Sequence, residues 1–251
     1  MKFAHTGDSH KHSLQTLNQL FEYDDFMLSI RTVLDLGCGP GDDLEWWATR
    51  TTRDENPEPL NIRCTGVDVA ADLPLTRRYN NVFYQSADFE GKIAPISQGY
   101  DVLWCHDAFQ FAHNPVATLK HWWEIASPGA MLYICVPITQ RIHQRQLDYY
   151  LSSGCYYHHT LVSLIHMLAT NGWDCRSGFF KQLPSDTWIH AAVYKGAQQP
   201  LDPKNTDWHR LSELKLLPES ADASVYAHGH LRQQDLIIPW LDHSLMSMAV
   251  R

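Results

Sequence analysis

Several familiar signals are missing from this 251-residue sequence, and each absence removes a class of protein. No apolar run is long enough to cross the ~30 Å hydrocarbon core of a bilayer. The opening residues, MKFAHTGDSHKHS, hold no apolar segment of a secretory signal. A soluble, cytoplasmic protein without a membrane partner is the expectation. Its six cysteines, at 38, 64, 105, 135, 155 and 175, never form C-x-x-C, so neither a zinc ribbon nor a dithiol redox pair is expected. Histidine is abundant, at 15, yet H-E-x-x-H is absent, and no metal is expected. Positive charge is scarce. Twenty Lys and Arg face 28 Asp and Glu, for a net charge of -8. That balance argues against an extended nucleic-acid surface, which needs clustered cations to neutralise phosphates. There is no internal repeat.

What is present is enough apolar sequence for a large core, 44% of residues against 19% charged. It is arranged as an alternation. Strand-like runs read RTVLDLG, IRCTGVDV, NVFYQSADF, YDVLWCHD and PGAMLYICVP. Helical patterns fall between or after them, in DDLEWWATR, NPVATLKHWWEIAS and TLVSLIHMLATNGW. DCRSGFF and TWIHAAVYK follow as two strands with only a turn between them. The alternation predicts an α/β fold: a Rossmann-like, mostly parallel seven-stranded sheet with helices on both faces and an antiparallel edge hairpin. Residues 1–30 read as a helical lead-in and 31–195 as the main domain. Residues 196–251 read as an extension packed on it, a candidate cover for a site or a homodimer contact.

The first strand runs into VLDLGCGPG and then two aspartates. In a sheet of this kind, ligands bind beyond the carboxyl ends of the strands. A dinucleotide turn, G-x-G-x-x-G from Gly37, would need glycine where Asp42 stands. The Gly-Lys-Ser/Thr of a phosphate loop is missing too. Asp42 and Asp43 fall where a pyrophosphate would dock, and Asp35 adds a third carboxylate. The turn suits a cationic ligand without phosphates, which argues against a nicotinamide-dependent oxidoreductase.

VLDLGCGPG resembles the first motif of class I S-adenosylmethionine-dependent methyltransferases. TGVDVA resembles their second motif, SADFEG their adenine-binding segment and YDVLWCHDAFQFAHNP their fourth-strand motif. The likeness runs, more weakly, from about Val33 to Lys195. It implies S-adenosylmethionine as cofactor. Asp35 and the Gly37–Cys38–Gly39 backbone would approach the methionyl part, and Asp68 the ribose hydroxyls. Asp88 and Phe89 would meet the adenine, while Val69 and Cys105 complete the candidate lining. A methyl acceptor that must lose a proton needs a base. His106 and Asp107, closing the fourth strand, are the candidates, with simple packing an equal reading for His106. The N/D-P-P-Y/F motif of amino-methyltransferases is absent. Arg141, Arg145, Tyr150 and His158, after the fifth strand, are candidate acceptor contacts. The expected function is metal-independent methyl transfer to a small-molecule or sugar-like acceptor at O or N. A binding module without catalysis, and RNA or protein acceptors, stand as alternatives.

Overall fold

The strand-and-helix alternation becomes one seven-stranded sheet in the order β3-β2-β1-β4-β5-β7-β6. The strands are β1 (Thr32–Leu36), β2 (Arg63–Asp68), β3 (Val82–Ser86), β4 (Tyr100–His106), β5 (Ala126–Pro137), β6 (Trp173–Lys181) and β7 (Trp188–Lys195). In this computed structural model the described residues are 28–52, 55–70, 72–137, 155–157, 159–181 and 188–228. Strands β1 to β5 run parallel, while β7 is antiparallel to both β5 and β6. After β1 the chain builds outward through β2 and β3, then crosses back to β4. The strand order therefore reverses between β1 and β4, and a crevice opens there beyond the carboxyl ends.

Side-chain alternation sorts the sheet into two cores. On one face Leu34, Leu36, Leu103, Cys105, Leu132 and Ile134 pack with Leu119 and Trp122 of α2 (Pro115–Ile125) and with Leu164 and Leu168 of α3 (Leu161–Thr170). On the other, Val33, Val102, Trp104, Tyr133 and Cys135 pack with Leu44 and Trp47 of α1 (Asp42–Ala48). The centre of the sheet is covered on both sides. The run from Ala130 to Pro137 in β5 is accordingly buried without a break.

Local chemistry sets the helix ends. Pro115 opens α2, and Asn114 Oδ1 accepts the Ala117 N–H at 3.1 Å. Thr160 and Ser163 form a reciprocal capping box at the start of α3, and Gly172, at φ +83°, follows its end. β5 begins earlier than the sequence suggests, at Ala126, because Ala126 already pairs with Tyr100 before a register shift. Beyond β7, α4 (Trp208–Glu213), α5 (Glu219–His228) and the turn joining them place Leu211, Leu216, Leu217, Ala221 and Val225 in the first core. Of the expected helical lead-in over 1–30, only 28–30 are described, and residues 229–251 of the expected extension lie outside the described residues. Among the described residues no helix is long and apolar enough to cross a membrane.

Candidate active site at the carboxyl ends of the strands

The glycine turn after β1 hangs from the end of β2. The Gly37 and Cys38 N–H groups donate to the Val67 carbonyl at 2.8 and 3.1 Å. Gly37 has φ +76°, and a Cβ there would lie 2.4 Å from that of Ala108 and 3.8 Å from the Phe89 ring. Only a residue without a side chain lets Ala108 approach this closely at a positive φ. Gly39 donates its N–H to Asp68 Oδ2 at 2.9 Å, and Ala70 donates to Oδ1 at 3.0 Å. Asp68 is thus held from both sides at the mouth of the crevice. Each carboxylate oxygen keeps capacity for a further donor. Val69 beside it is exposed.

The carboxylates of this region are not equivalent. Asp42 is exposed. Asp43 turns inward, its Oδ2 accepting the Trp104 Nε1–H at 2.8 Å and lying 3.3 Å from His106 Nδ1. It therefore does not stand at the turn as a repelling charge, as its position in the sequence suggested. Asp35 is buried in the sheet. Burial pushes its carboxyl well above the usual range, and Asp43 and Asp68 push the same way. Of the carboxylates near the turn, Asp68 is the one bonded to its backbone, through Gly39. Cys38 packs its sulfur against Gly66, where an added Cβ would come within 2.8 Å of it. Burial first, then Asp35 and Asp68, raise its thiol well above the ordinary range, the reverse of what a nucleophile needs.

Phe89 is half-buried and 6.1 Å from the Trp122 ring, whose Nε1–H donates to the Phe89 carbonyl at 3.1 Å. The exposed Asp88 precedes it. Glu90 fastens this segment to the start of α2. Its oxygens accept the His113 N–H at 2.7 Å, the Asn114 N–H at 2.9 Å and the Thr118 hydroxyl at 3.2 Å. Burial works against its charge, but the bonds from His113 and Asn114 prevail and hold the carboxyl below its usual range. Asp88, Glu90 and His113 bring one ligand atom each within 4.8 Å of one another. With Glu90 already bonded to the start of α2, this arrangement is explained without a metal.

The far side of the crevice is built by register. His106 pairs with Cys135, and Cys135 with His190, a row of side chains across β4, β5 and β7 on the α1 face. His106 is 8% exposed, and its Nε2 has no hydrogen-bond partner among the described residues. Asp107 has φ +54°, an uncommon backbone for a non-glycine residue. Its N–H donates to the Cys135 carbonyl at 3.0 Å, and its carboxylate accepts Gln110 Nε2 at 2.6 Å. Gln110 in turn accepts the Tyr156 and Tyr157 N–H groups on its carbonyl. Asp107 thus braces the loop after β4. Cys105 points into the opposite core, fully buried, and has only its backbone for a cofactor.

Gly37, Cys38, Gly39, Asp68 and Val69 come together where β1 and β2 end, with Phe89 against Gly37; His106 and Asp107 close β4, Asp88 precedes Phe89, and Asp35 is buried within β1. Arg141, Arg145, Tyr150 and His158 lie outside the described residues. Sequence reasoning missed the contact of Asp43 with His106, the Trp104 bond that fixes Asp43, and the capping role of Glu90. No spacing signals a contact made across 61 residues. Asn114-Pro115 did mark the helix start that Glu90 completes.

A family model described as a methyltransferase domain matches residues 9–177. The chain belongs to this methyltransferase family. Its sheet has the class I, Rossmann-like methyltransferase fold. A ubiquinone biosynthesis O-methyltransferase of Nitrosospira multiformis is 28% identical over 112 residues, 42% of this chain and 43% of that relative. The matched region thus spans less than half of the curated relative's length. A crystal structure of Burkholderia thailandensis 1,6-didemethyltoxoflavin-N1-methyltransferase, with its substrate and S-adenosylhomocysteine bound, covers 76% of this chain and 80% of its own. Its TM-score is 0.54 at 14% identity. Haemonchus contortus phosphoethanolamine N-methyltransferase 2 with S-adenosyl-L-methionine covers 74% of this chain and 52% of its own, with a TM-score of 0.55 at 12% identity. At these identities the two structures speak to the fold of this methyltransferase chain, not to its acceptor.

Proposed function

We propose that this chain binds S-adenosylmethionine at the β1–β2 rim and transfers its methyl group to an O or N atom of a small-molecule acceptor, without a metal. The supporting observation is the bond from Gly39 N–H to Asp68 Oδ2, which sets the glycine turn and an anchored carboxylate side by side at the point where the strand order reverses. The residues fit that cofactor. Gly37, at φ +76° and packed on Ala108, fixes the path of the turn that carries Cys38 and Gly39 to the β2 end. Asp68 has acceptor capacity left for ribose hydroxyls, and Phe89 supplies an apolar surface near the turn for a flat base. When bound, S-adenosylmethionine supplies a methyl group on a positively charged sulfur.

The chain's own part is to bind, orient and take a proton. The glycine turn and Asp68 fix the cofactor. Residues beyond β4 and β5 hold the acceptor in line with the methyl, an orientation effect that reaches about 7–11 kcal/mol in favourable systems. His106 Nε2 accepts the proton that an O–H or N–H acceptor must lose. Residues 31–195 act as the cofactor domain, with 1–30 and 196–251 flanking it. We place the enzyme in the cytoplasm. A homodimer is the assembly to test, by sedimentation.

Titration calorimetry with S-adenosylmethionine and S-adenosylhomocysteine tests the cofactor. Binding of both is expected, and no heat from either at millimolar ligand overturns the reading. Labelled S-adenosylmethionine with a panel of hydroxylated and amine metabolites then tests transfer.

A further inference from the structure

Two features near the rim are not explained by the cofactor alone. One is a buried carboxylate in the first turn of α1. The other is a buried imidazole nitrogen without a partner. The same imidazole links them, through its other nitrogen. Asp43 Oδ2 accepts the Trp104 Nε1–H at 2.8 Å and lies 3.3 Å from His106 Nδ1. Trp104 is itself held, stacked on Tyr133 with ring centroids 3.7 Å apart and planes 15° apart. An indole N–H only donates, so it fixes which oxygen of Asp43 faces the imidazole side. A carboxylate only accepts, so a hydrogen bond closing that 3.3 Å gap requires the hydrogen on Nδ1. In that tautomer the lone pair is on Nε2, the buried atom without a partner among the described residues.

We infer that Asp43 is the positioning residue of the transfer reaction: anchored by Trp104, it holds His106 in the tautomer whose Nε2 takes the acceptor's proton. The inference rests on the proposed reading that His106 is the base. The step balances. The acceptor's lone pair bonds to the methyl carbon, and the electron pair of the carbon–sulfur bond stays on sulfur. The acceptor's proton passes to Nε2, and the imidazolium so formed lies beside the Asp43 carboxylate until water removes the proton.

The test uses the full chain. Long-range proton–nitrogen correlation of the ligand-free, nitrogen-15-labelled protein reads the His106 tautomer. The wild type is expected with hydrogen on Nδ1, and Asp43→Asn with a mixture. In the same variant kcat is expected to fall about 10²-fold, the low end of what a positioned base supplies, with KM for S-adenosylmethionine unchanged. Trp104→Phe keeps the stacked ring but frees Asp43, and a smaller loss of kcat is expected. An unchanged imidazole in both variants overturns the positioning role. Full turnover in His106→Ala, whatever the tautomer in the other variants, overturns instead the base assignment beneath it.

Discussion

The two halves of the rim are built on different principles. At β1 and β2 the site is made of backbone: two N–H groups on one carbonyl, a third on Asp68, and a turn whose glycines leave room for Ala108 and Leu75 to pack against it. At β4, β5 and β7 it is made of side chains that strand register aligns, with a loop braced by Asp107 and Gln110. The first half is demanding about conformation and tolerant about chemistry. The second is the reverse. A family can therefore keep the first half while altering the second to suit new acceptors.

Substitutions separate the halves. The largest effect on binding is expected from Gly37→Ala, which forces a side chain into Ala108 at a positive φ. It should cost about 2–4 kcal/mol of stability and abolish measurable S-adenosylhomocysteine binding, read by denaturant titration and calorimetry. In the other half His106→Ala should leave that binding intact while lowering kcat by about 10²–10⁴-fold. Loss of binding there would erase the distinction between the halves. Asp68→Asn comes next. Its amide nitrogen must face one of the two N–H donors from Gly39 and Ala70. A loss of about 1.5–3 kcal/mol in cofactor affinity is expected from calorimetry.

The smallest effect sharpens the electrostatics. Asp35 has a folded-state pKa raised above its unfolded value, so the native state holds the proton more tightly. Stability is then expected to fall as pH rises from the ordinary carboxylate range through the raised value. Asp35→Asn removes that slope. Melting temperatures of the two proteins should diverge in favour of the variant as pH rises. Parallel curves would place Asp35 outside the desolvated region.

The legibility of the sequence follows the same division. VLDLGCGPG and the Asp at the end of β2 were readable because their conformational demand is local: glycines within five residues, then a strand-end carboxylate. The strand alternation gave the sheet, including the antiparallel pair at its edge, because period-2 and period-3.6 patterns are local too. The charge of the turn was legible only in part. The sequence counted Asp43 as facing the ligand, whereas helix phase turns it toward Trp104 and His106. The row His106–Cys135–His190 was not legible, since register between distant strands leaves no mark at any fixed spacing.

The late arrival of β7 carries a consequence for how the protein is made. Being last in sequence yet seated between β5 and β6, it leaves β5 with an unpaired border until residues 188–195 have emerged from the ribosome. A nascent or truncated chain ending before Trp188 presents an apolar, twelve-residue strand with open hydrogen-bonding groups, a template for self-association. Such fragments should be found in inclusion bodies rather than as partly folded monomers.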